Sequence, residues 1–221
     1  NKRGFIEFMV RAGVVTFGDF ITKSGRRTPY FINTGRFNTG GRLAQTGKYY
    51  AGALREHLGN GFDVLFGPAY KGIPLVTATA IALHEQYGQD VAVAFNRKEA
   101  KDHGEGGALV GHVPQPGERI VIVEDVTTAG TSIREVVPLI QAASPQAKLT
   151  ALVVAVDRQE RGPGGKGALA EVAATYGVST FAVVTIDEVV EHLSVAPIDG
   201  RQLIDAPRRE RIRAYRAEYG A

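Results

Sequence analysis

The sequence predicts an α/β fold with a mostly parallel central sheet that is flanked by helices. Short apolar runs rich in β-branched residues recur along the chain, for example at residues 120–123, and such runs are typical of strands buried on both faces. Segments with apolar residues at helical spacing alternate with these runs. Hydrophobic residues make up 44% and charged residues 22% of the chain, which is typical of a globular domain. Strands that alternate with helices form parallel sheets.

The first part of the chain does not follow this alternation. The pattern there predicts a helix, two antiparallel strands joined by a Gly- and Pro-containing turn, and a second helix: residues 5–12, 14–21, 30–33 and 43–58. We expect residues 1–40 and part of the C-terminal segment to form a small hood over the ligand-binding edge of the sheet.

The alternating region supplies the core of a single domain, residues 1–221, with the core at about 60–185. In order, its predicted elements are strand 64–66, helix 72–87, strand 91–95, loop 96–112, strand 120–123, helix 131–143, strand 149–155, helix 166–176 and strand 180–184. Residues 187–192 and 207–218 are predicted to form closing helices.

Composition limits the possible functions. The chain has no cysteine, so it has no disulfide or thiolate metal site, and this fits a reducing cytoplasm. No apolar stretch is long enough to cross a bilayer. The net charge of +3 is too small to indicate nucleic-acid binding. The arginine-rich stretch at residues 208–216, interrupted by Glu210, is interpreted as a solvated helix face.

The most informative motif lies after the predicted strand 120–123. Two carboxylates, Glu124 and Asp125, are followed by a turn of small and hydroxylated residues that ends at Ser132, and then by a helix. Backbone N–H groups in such a turn and at the helix N-terminus bind anions. The carboxylates suit hydrogen-bond donors such as sugar hydroxyls. The motif therefore predicts a ribose-phosphate site; the alternative is an acidic pair that only caps a helix.

A second strand–turn–helix motif spans residues 66–74. Gly67 and Gly72 allow close approach of the backbone, and Lys71 places a cation near a helix N-terminus. Two anion sites on neighbouring strand ends would hold two phosphate groups of one ligand. Ordinary turn residues with an exposed Lys71 are the alternative.

Residues 97–107 form a polar segment that is too long for a minimal connection. Its cations are Arg97, Lys98, Lys101 and His103, and glycines surround them. The segment is predicted to be a mobile lid that closes over a polyanion. Composition alone also fits a charge-balanced surface loop.

These motifs resemble those of a known family. The run Glu-Asp-Val-Thr-Thr-Ala-Gly-Thr at residues 124–131 resembles the phosphoribosyl pyrophosphate (PRPP) motif of type I phosphoribosyltransferases. Arg-Lys-Glu-Ala-Lys-Asp-His-Gly-Glu-Gly at residues 97–106 resembles the catalytic loop of orotate phosphoribosyltransferases. Residues 23–33, 66–74 and 156–162 also match, so the resemblance covers nearly the whole chain. Glu124 departs from the usual Asp, and Ile32 replaces a Phe of some members.

The resemblance implies a glycosyltransferase that moves phosphoribose from PRPP to orotate, with Mg²⁺ held mainly through substrate oxygens. It also implies a cytoplasmic homodimer that shares its catalytic loop between subunits, and a cis peptide at Ala69–Tyr70. The implied catalytic residues are Lys71, Arg97, Lys101, His103 and Asp125. No nucleic acid or membrane partner is expected.

The resemblance also assigns the remaining site residues. The PRPP-binding set is Lys23, Tyr70, Lys71, Arg97, Lys98, Lys101, His103, Glu124, Asp125, Val126, Thr127, Thr128, Ala129, Gly130, Thr131 and Ser132. The orotate-binding set is Lys23, Phe31, Ile32, Thr128 and Arg158. From the residues alone, Arg158 could instead pair with Asp157 or Glu160. A phosphoribosyltransferase for another base, or a nucleic-acid-binding regulator on this fold, remains the alternative function.

Overall fold

A computed structural model describes residues 1–22, 25–99, 107–126, 130–162 and 164–221. Its main sheet has six strands in the order β5-β4-β3-β6-β7-β8. These strands are β3 (Val64–Gly67), β4 (Ala92–Asn96), β5 (Leu109–Gly111), β6 (Arg119–Glu124), β7 (Lys148–Asp157) and β8 (Ser179–Thr185). All neighbouring pairs are parallel except β4 and β5. The predicted α/β fold is therefore confirmed.

Helices cover both faces of this sheet. They are α1 (Lys2–Arg11), α2 (Gly40–Leu58), α3 (Gly72–Tyr87), α4 (Thr131–Ala143), α5 (Ala168–Tyr176), α6 (Ile186–Val195) and α7 (Ala206–Tyr219). Alternate residues of the central strand β6 enter different apolar clusters, because successive side chains of a strand point to opposite faces. Val121 and Val123 pack on the side of α1, α2, α3, α6 and α7. Ile120 and Ile122 pack on the side of α4 and α5.

A second, two-stranded sheet lies outside this arrangement. Strands β1 (Val15–Ile21) and β2 (Arg27–Ile32) pair antiparallel, with Val15 opposite Ile32. A 3₁₀ turn, Thr34–Arg36, then leads from β2 towards α2. Strand β2 packs against the C-terminal helix, where the rings of Tyr30 and Tyr215 meet edge to face at 5.6 Å. The beginning and the end of the chain thus pack together.

The element predictions agree with the structure apart from boundaries and one edge strand. Helix α4 occupies residues 131–143, as the pattern predicts. The short strand β5 lies within the segment predicted to be loop. Three residues that end in Gly111 are too few to show the alternation that identifies a strand. Within the described part of the chain, no helix has the length and apolar character needed to cross a membrane.

The interpretation of residues 208–216 as a solvated face is wrong for Arg216. This side chain is largely buried and forms an ion pair with Asp187 at 3.1 Å. It also donates to the backbone carbonyl of Arg158 at 3.2 Å and to that of Gln159. Sequence spacing cannot reveal these contacts, because the partners lie on distant elements.

Candidate active site

The two anion-binding motifs meet at one edge of the main sheet. Strands β3 and β6 are parallel neighbours, with Phe66 opposite Ile122, so both motifs follow the same ends of adjacent strands. The Nζ atom of Lys71 lies 3.0 Å from Oδ2 of Asp125. A single ligand can therefore contact both segments.

The acidic pair at the end of β6 is almost completely enclosed, since Glu124 is 6% and Asp125 is 8% exposed. Oδ1 of Asp125 accepts a hydrogen bond from the Val126 backbone N–H at 2.7 Å. Oδ2 accepts from the Thr34 hydroxyl at 2.6 Å and from Lys71. One carboxylate thus binds three donors from three segments of the chain.

The two carboxyl groups have different proton affinities. Burial raises the pKa of Glu124 to about 7, and the nearby Asp125 charge acts in the same direction. Burial also acts to raise the pKa of Asp125, but hydrogen bonds from Thr34, Val126 and Lys71 outweigh it, so that this pKa is lowered. Near neutral pH the negative charge of the pair therefore resides mainly on Asp125.

The backbone beneath this pair is fixed by α2 and β7. The fully buried Tyr50 donates its hydroxyl hydrogen to the Glu124 carbonyl oxygen at 2.7 Å. The Ala155 N–H donates to the Asp125 carbonyl oxygen at 2.8 Å. These bonds set the position at which β6 ends.

The segment that carries Lys71 is tightly packed. A Cβ atom built on Gly67 would lie 2.3 Å from the Gly72 carbonyl oxygen, so only glycine fits there. The Ala69–Tyr70 peptide is cis, as the family resemblance implies. The side-chain oxygen of the buried Asn96, at the end of β4, accepts from the Ala69 N–H at 2.8 Å. Tyr70 and Lys71 themselves are exposed towards the open edge.

Asn96 also directly precedes the segment predicted to be a lid. The Arg97 N–H donates to the Ala108 carbonyl oxygen at 2.8 Å, which joins the two ends of this segment. The Nζ atom of Lys98 lies 3.2 Å from a carboxylate oxygen of Glu135 on α4. Lys101 and His103 lie outside the described residues.

The predicted phosphate turn is described in part. Thr127, Thr128 and Ala129 lie outside the described residues. Gly130 has a left-handed conformation, with φ 63°, and directly precedes α4. Thr131 is exposed at the helix start, and the Ser132 side chain hydrogen-bonds Glu124. The helix N-terminus and the acidic pair are therefore adjacent.

Arg158, predicted to face the base, follows the end of β7. Its Nη2 atom lies 2.9 Å from Oε1 of Glu160, which agrees with one of the pairings that the sequence left open. Glu160 also accepts hydrogen bonds from the hydroxyls of Tyr30 and Tyr215, at 2.7 Å and 3.1 Å, and from Arg26. Two guanidinium groups and one carboxylate leave a formal charge of +1 in this cluster.

The other residues predicted to contact the base lie on β2 or beside it. Phe31 is substantially exposed, and its ring lies 5.6 Å from that of Phe20. Ile32 is half-buried at the end of the strand. Lys23 lies outside the described residues.

Sequence reasoning missed three residues that hold the site together: Thr34, Tyr50 and Asn96. Asn96 directly precedes the segment predicted to be a lid, so its polar side chain was a usable signal. Thr34 and Tyr50 are far from residues 124–125 in sequence, and no spacing rule joins them to the acidic pair.

The described carboxylates do not form a metal site of their own. Among the residues that the structure describes, no group of three or more His, Cys, Asp or Glu side chains could hold a metal ion. Asp125 is already bonded to an ammonium group, a hydroxyl and an amide. This donor set fits a metal that is held through the oxygens of a bound ligand.

Comparisons with known proteins identify the family. Residues 34–172 match the model of the phosphoribosyl transferase domain. An orotate phosphoribosyltransferase of Lachnoclostridium phytofermentans is 52% identical over 99% of this chain and 97% of the relative. The chain belongs to the orotate phosphoribosyltransferase family.

Further members of the orotate phosphoribosyltransferase family agree with this conclusion. The Nitrosococcus oceani member is 50% identical, over 98% of this chain and 94% of its own length. The crystal structure of the Francisella tularensis member superposes with a TM-score of 0.85 and 34% identity, covering 99% of this chain and all of that one. The type I phosphoribosyltransferase fold is thus shared along the whole length.

Proposed function

We propose that this chain catalyses the transfer of 5-phosphoribose from PRPP to orotate, which yields orotidine 5′-monophosphate and pyrophosphate in pyrimidine biosynthesis. The observation that carries the proposal is the 3.0 Å contact between Lys71 and Asp125. It brings an anion-binding segment and a sugar-binding acid together at one sheet edge, in a chain of this family. Ligands of open α/β folds bind at such an edge.

In this proposal PRPP lies across the ends of β3 and β6. The residues from Thr127 to Ser132 hold the 5′-phosphate with their amides and hydroxyls, near the α4 N-terminus. Asp125 accepts hydrogen bonds from the ribose hydroxyls, and Glu124 and Val126 line the same position. The diphosphate binds the cationic and aromatic groups that surround the open edge: Lys23, Tyr70, Lys71, Arg97, Lys98, Lys101 and His103.

Orotate is proposed to bind between strand β2 and the end of β7. Phe31, Ile32 and Thr128 surround the ring together with Lys23. Arg158 pairs with the orotate carboxylate through charge-assisted hydrogen bonds. The formal +1 charge of the Arg26, Arg158 and Glu160 cluster favours this choice, because one carboxylate would neutralise it.

The chemistry follows from the charges that develop as the bond from C1 to pyrophosphate breaks. Positive charge grows on the ribose ring, which the Asp125 carboxylate stabilises. Negative charge grows on the leaving pyrophosphate, which Lys71, Arg97, Lys101 and His103 stabilise. The orotate ring nitrogen then forms the new bond to C1 and gives up its proton, which the departing pyrophosphate can accept, so no covalent enzyme intermediate is needed.

Mg²⁺ is part of this proposal as a substrate-bound ion. When bound, it supplies positive charge to the diphosphate. Its ligands would be PRPP and pyrophosphate oxygens together with water, since Asp125 already binds three donors. A homodimer in which Lys98 reaches the partner's site, and a cytoplasmic location, are proposed from the family resemblance.

One assay tests the reaction directly. Orotate consumption is followed by absorbance with and without PRPP and Mg²⁺, and pyrophosphate release is measured in parallel. We expect turnover only when all three are present. Competition with uracil and hypoxanthine then tests the base, and preferential use of either would contradict orotate as the substrate.

The role of Arg158 can be tested with orotate and uracil together. Arg158→Gln should raise the KM for orotate roughly tenfold or more, because a hydrogen bond to a charged group is lost. Uracil lacks the carboxylate, so its weak binding should change little. Arg161→Gln is a control, because this exposed arginine lies on the same segment and bonds the Glu218 carbonyl. An equal loss for both bases would place Arg158 in a structural role only.

A further inference from the structure

Thr34 connects the two-stranded sheet with the acidic pair. It lies in the 3₁₀ turn that follows β2 and is 9% exposed. Its hydroxyl oxygen is 2.6 Å from Oδ2 of Asp125, which is a short hydrogen bond between elements 91 residues apart in sequence. Strand β2, two residues earlier, carries the proposed base contacts Phe31 and Ile32.

The geometry of the carboxylate shows why this bond matters. An ionised carboxylate has about four lone-pair positions. The Val126 N–H uses one of them, and Thr34 and Lys71 use two more on Oδ2. Thr34 therefore helps to determine which lone-pair position of the Asp125 carboxylate remains available to a ligand.

The partners of Asp125 differ in how firmly they are held. The Lys71 side chain is 67% exposed at the open edge, so it can move when a ligand binds. Thr34 is buried, and the Asn33 side chain caps its turn by accepting from the Gly35 N–H at 3.1 Å. Of these two side chains, Thr34 is the one that the fold holds in place.

A small cavity adjoins the bond. It has a volume of about 130 Å³, and its walls include Thr34, Phe37, Leu43, Lys71 and Asp125. Measured in the same way, a single water molecule needs only about 10–15 Å³. Without the Thr34 hydroxyl, Asp125 would have room to rotate into this cavity and away from the ribose position.

We propose that Thr34 is a positioning residue for the transfer reaction. Its hydroxyl holds the Asp125 carboxylate in the orientation that binds ribose and, through β2, links the ribose side of the site to the base side. This inference rests on the proposed function, because it requires that Asp125 contacts the sugar.

Several charged and titratable groups surround Asp125 and influence the pH dependence of activity. Lys71 faces it from the segment after β3, Glu124 from its own strand and Tyr50 from α2. Thr34 donates to the ionised form, and this hydrogen bond contributes to the lowered pKa of Asp125. Its removal should raise that pKa, so that activity is lost at a higher pH on the acid side.

The test compares Thr34→Val, which removes the hydroxyl at nearly constant shape, with Thr34→Ser, which keeps it. For Thr34→Val we expect a roughly tenfold increase in the KM for PRPP, the scale of one hydrogen bond to a charged group. The acid limb of kcat/KM should also move to higher pH. Thr34→Ser should recover most of both effects.

Thr79→Val is the matched control. Thr79 is completely buried and Thr34 nearly so. Within the described part of the chain, the Thr79 hydroxyl bonds the Leu75 carbonyl oxygen of its own helix, at 2.7 Å. Its kinetic constants and acid limb should equal those of the parent protein. If Thr34→Val does not fold, Thr34→Ala removes the same hydroxyl and is measured instead.

The outcomes separate the two proposals. An unchanged PRPP KM and acid limb in Thr34→Val, or equal losses in the valine and serine variants, would overturn the positioning role. Absence of any orotate- and PRPP-dependent turnover in the parent protein would overturn the proposed function itself.

Discussion

Glu124 and Asp125 are neighbours in sequence, but their surroundings give them different charges. Asp125 accepts hydrogen bonds from a hydroxyl, an ammonium group and an amide, all of which favour its ionised form. Glu124 is equally buried, and no cation pairs with it among the described ion pairs, so its pKa rises to about 7. Near neutral pH the acidic pair therefore carries less than two full negative charges.

This difference predicts a pH dependence of stability. The pKa of Glu124 is higher in the folded protein than in the unfolded chain. Its contribution to the free energy of unfolding is therefore fully present below the unfolded value of 4.5 and is lost as the pH rises through about 7. The side chain of Glu124→Gln stays neutral at both pH values. We therefore expect its free energy of unfolding, relative to that of the parent protein, to be higher at pH 8 than at pH 5 by on the order of 1–3 kcal/mol. Urea unfolding at both pH values measures the gain.

A matched control uses Glu56→Gln, on the exposed side of α2. It removes a carboxylate without touching the buried pair, so no such gain is expected. A Glu124→Gln effect of the same size at both pH values would show that Glu124 is already ionised at pH 5.

At the scale of elements, the close packing of α2 against α3 positions both halves of the site. Helix α2 carries Tyr50, which bonds the Glu124 carbonyl, and α3 begins directly after Lys71. Gly47 is where the two helices touch, because a Cβ atom built there would lie 2.3 Å from the Ala78 carbonyl oxygen. Small residues allow such close approach of two backbones.

Gly47→Ala should therefore push the helices apart. Backbone atoms cannot relax as a side chain does, so we expect a stability loss on the order of 1–3 kcal/mol and a higher KM for PRPP. Gly41→Ala lies on the same helix with no atom within 4 Å of the added methyl, and its stability should not fall. Thermal unfolding compares the two variants, and equal melting temperatures would contradict the close-contact explanation.

At the scale of the whole molecule, the C-terminal helix fixes the segment after β7, which carries Arg158, the proposed base-binding residue. Tyr215 of α7 bonds Glu160, which in turn pairs with Arg158 and Arg26. Arg216 of the same helix bonds the carbonyl oxygens of Arg158 and Gln159. The segment that carries the proposed carboxylate-binding arginine is thus fixed by the end of the chain.

Arg216→Ala tests this long-range connection. It removes the Asp187 pair and both carbonyl bonds, so the free energy of unfolding should fall by about 1–3 kcal/mol and the KM for orotate should rise more than that for PRPP. Arg213→Ala is the control, since Arg213 is exposed and pairs with Glu210 of its own helix at 2.9 Å. Equal effects on both substrates would indicate general destabilisation instead of a specific link.

The α/β alternation could be read from the amino-acid pattern, because strand and helix periodicities are local properties of consecutive residues. It also placed Lys71 and Asp125 at one sheet edge, since parallel strands end on the same side. Strand β5 was not predicted, because three residues are too few to show a period. The burial of Arg216 was not predicted, because its partners are distant in the chain.

The side chains that complete the site became evident in the folded chain. Thr34 and Asp125 are separated by 91 residues, and Tyr50 and Glu124 by 74, yet each pair forms one hydrogen bond. Glu160 joins residues from the beginning, middle and end of the chain. Such contacts depend on how elements pack in three dimensions. The local sequence pattern does not specify that packing. The protonation state of the acidic pair could therefore be derived only from the folded chain.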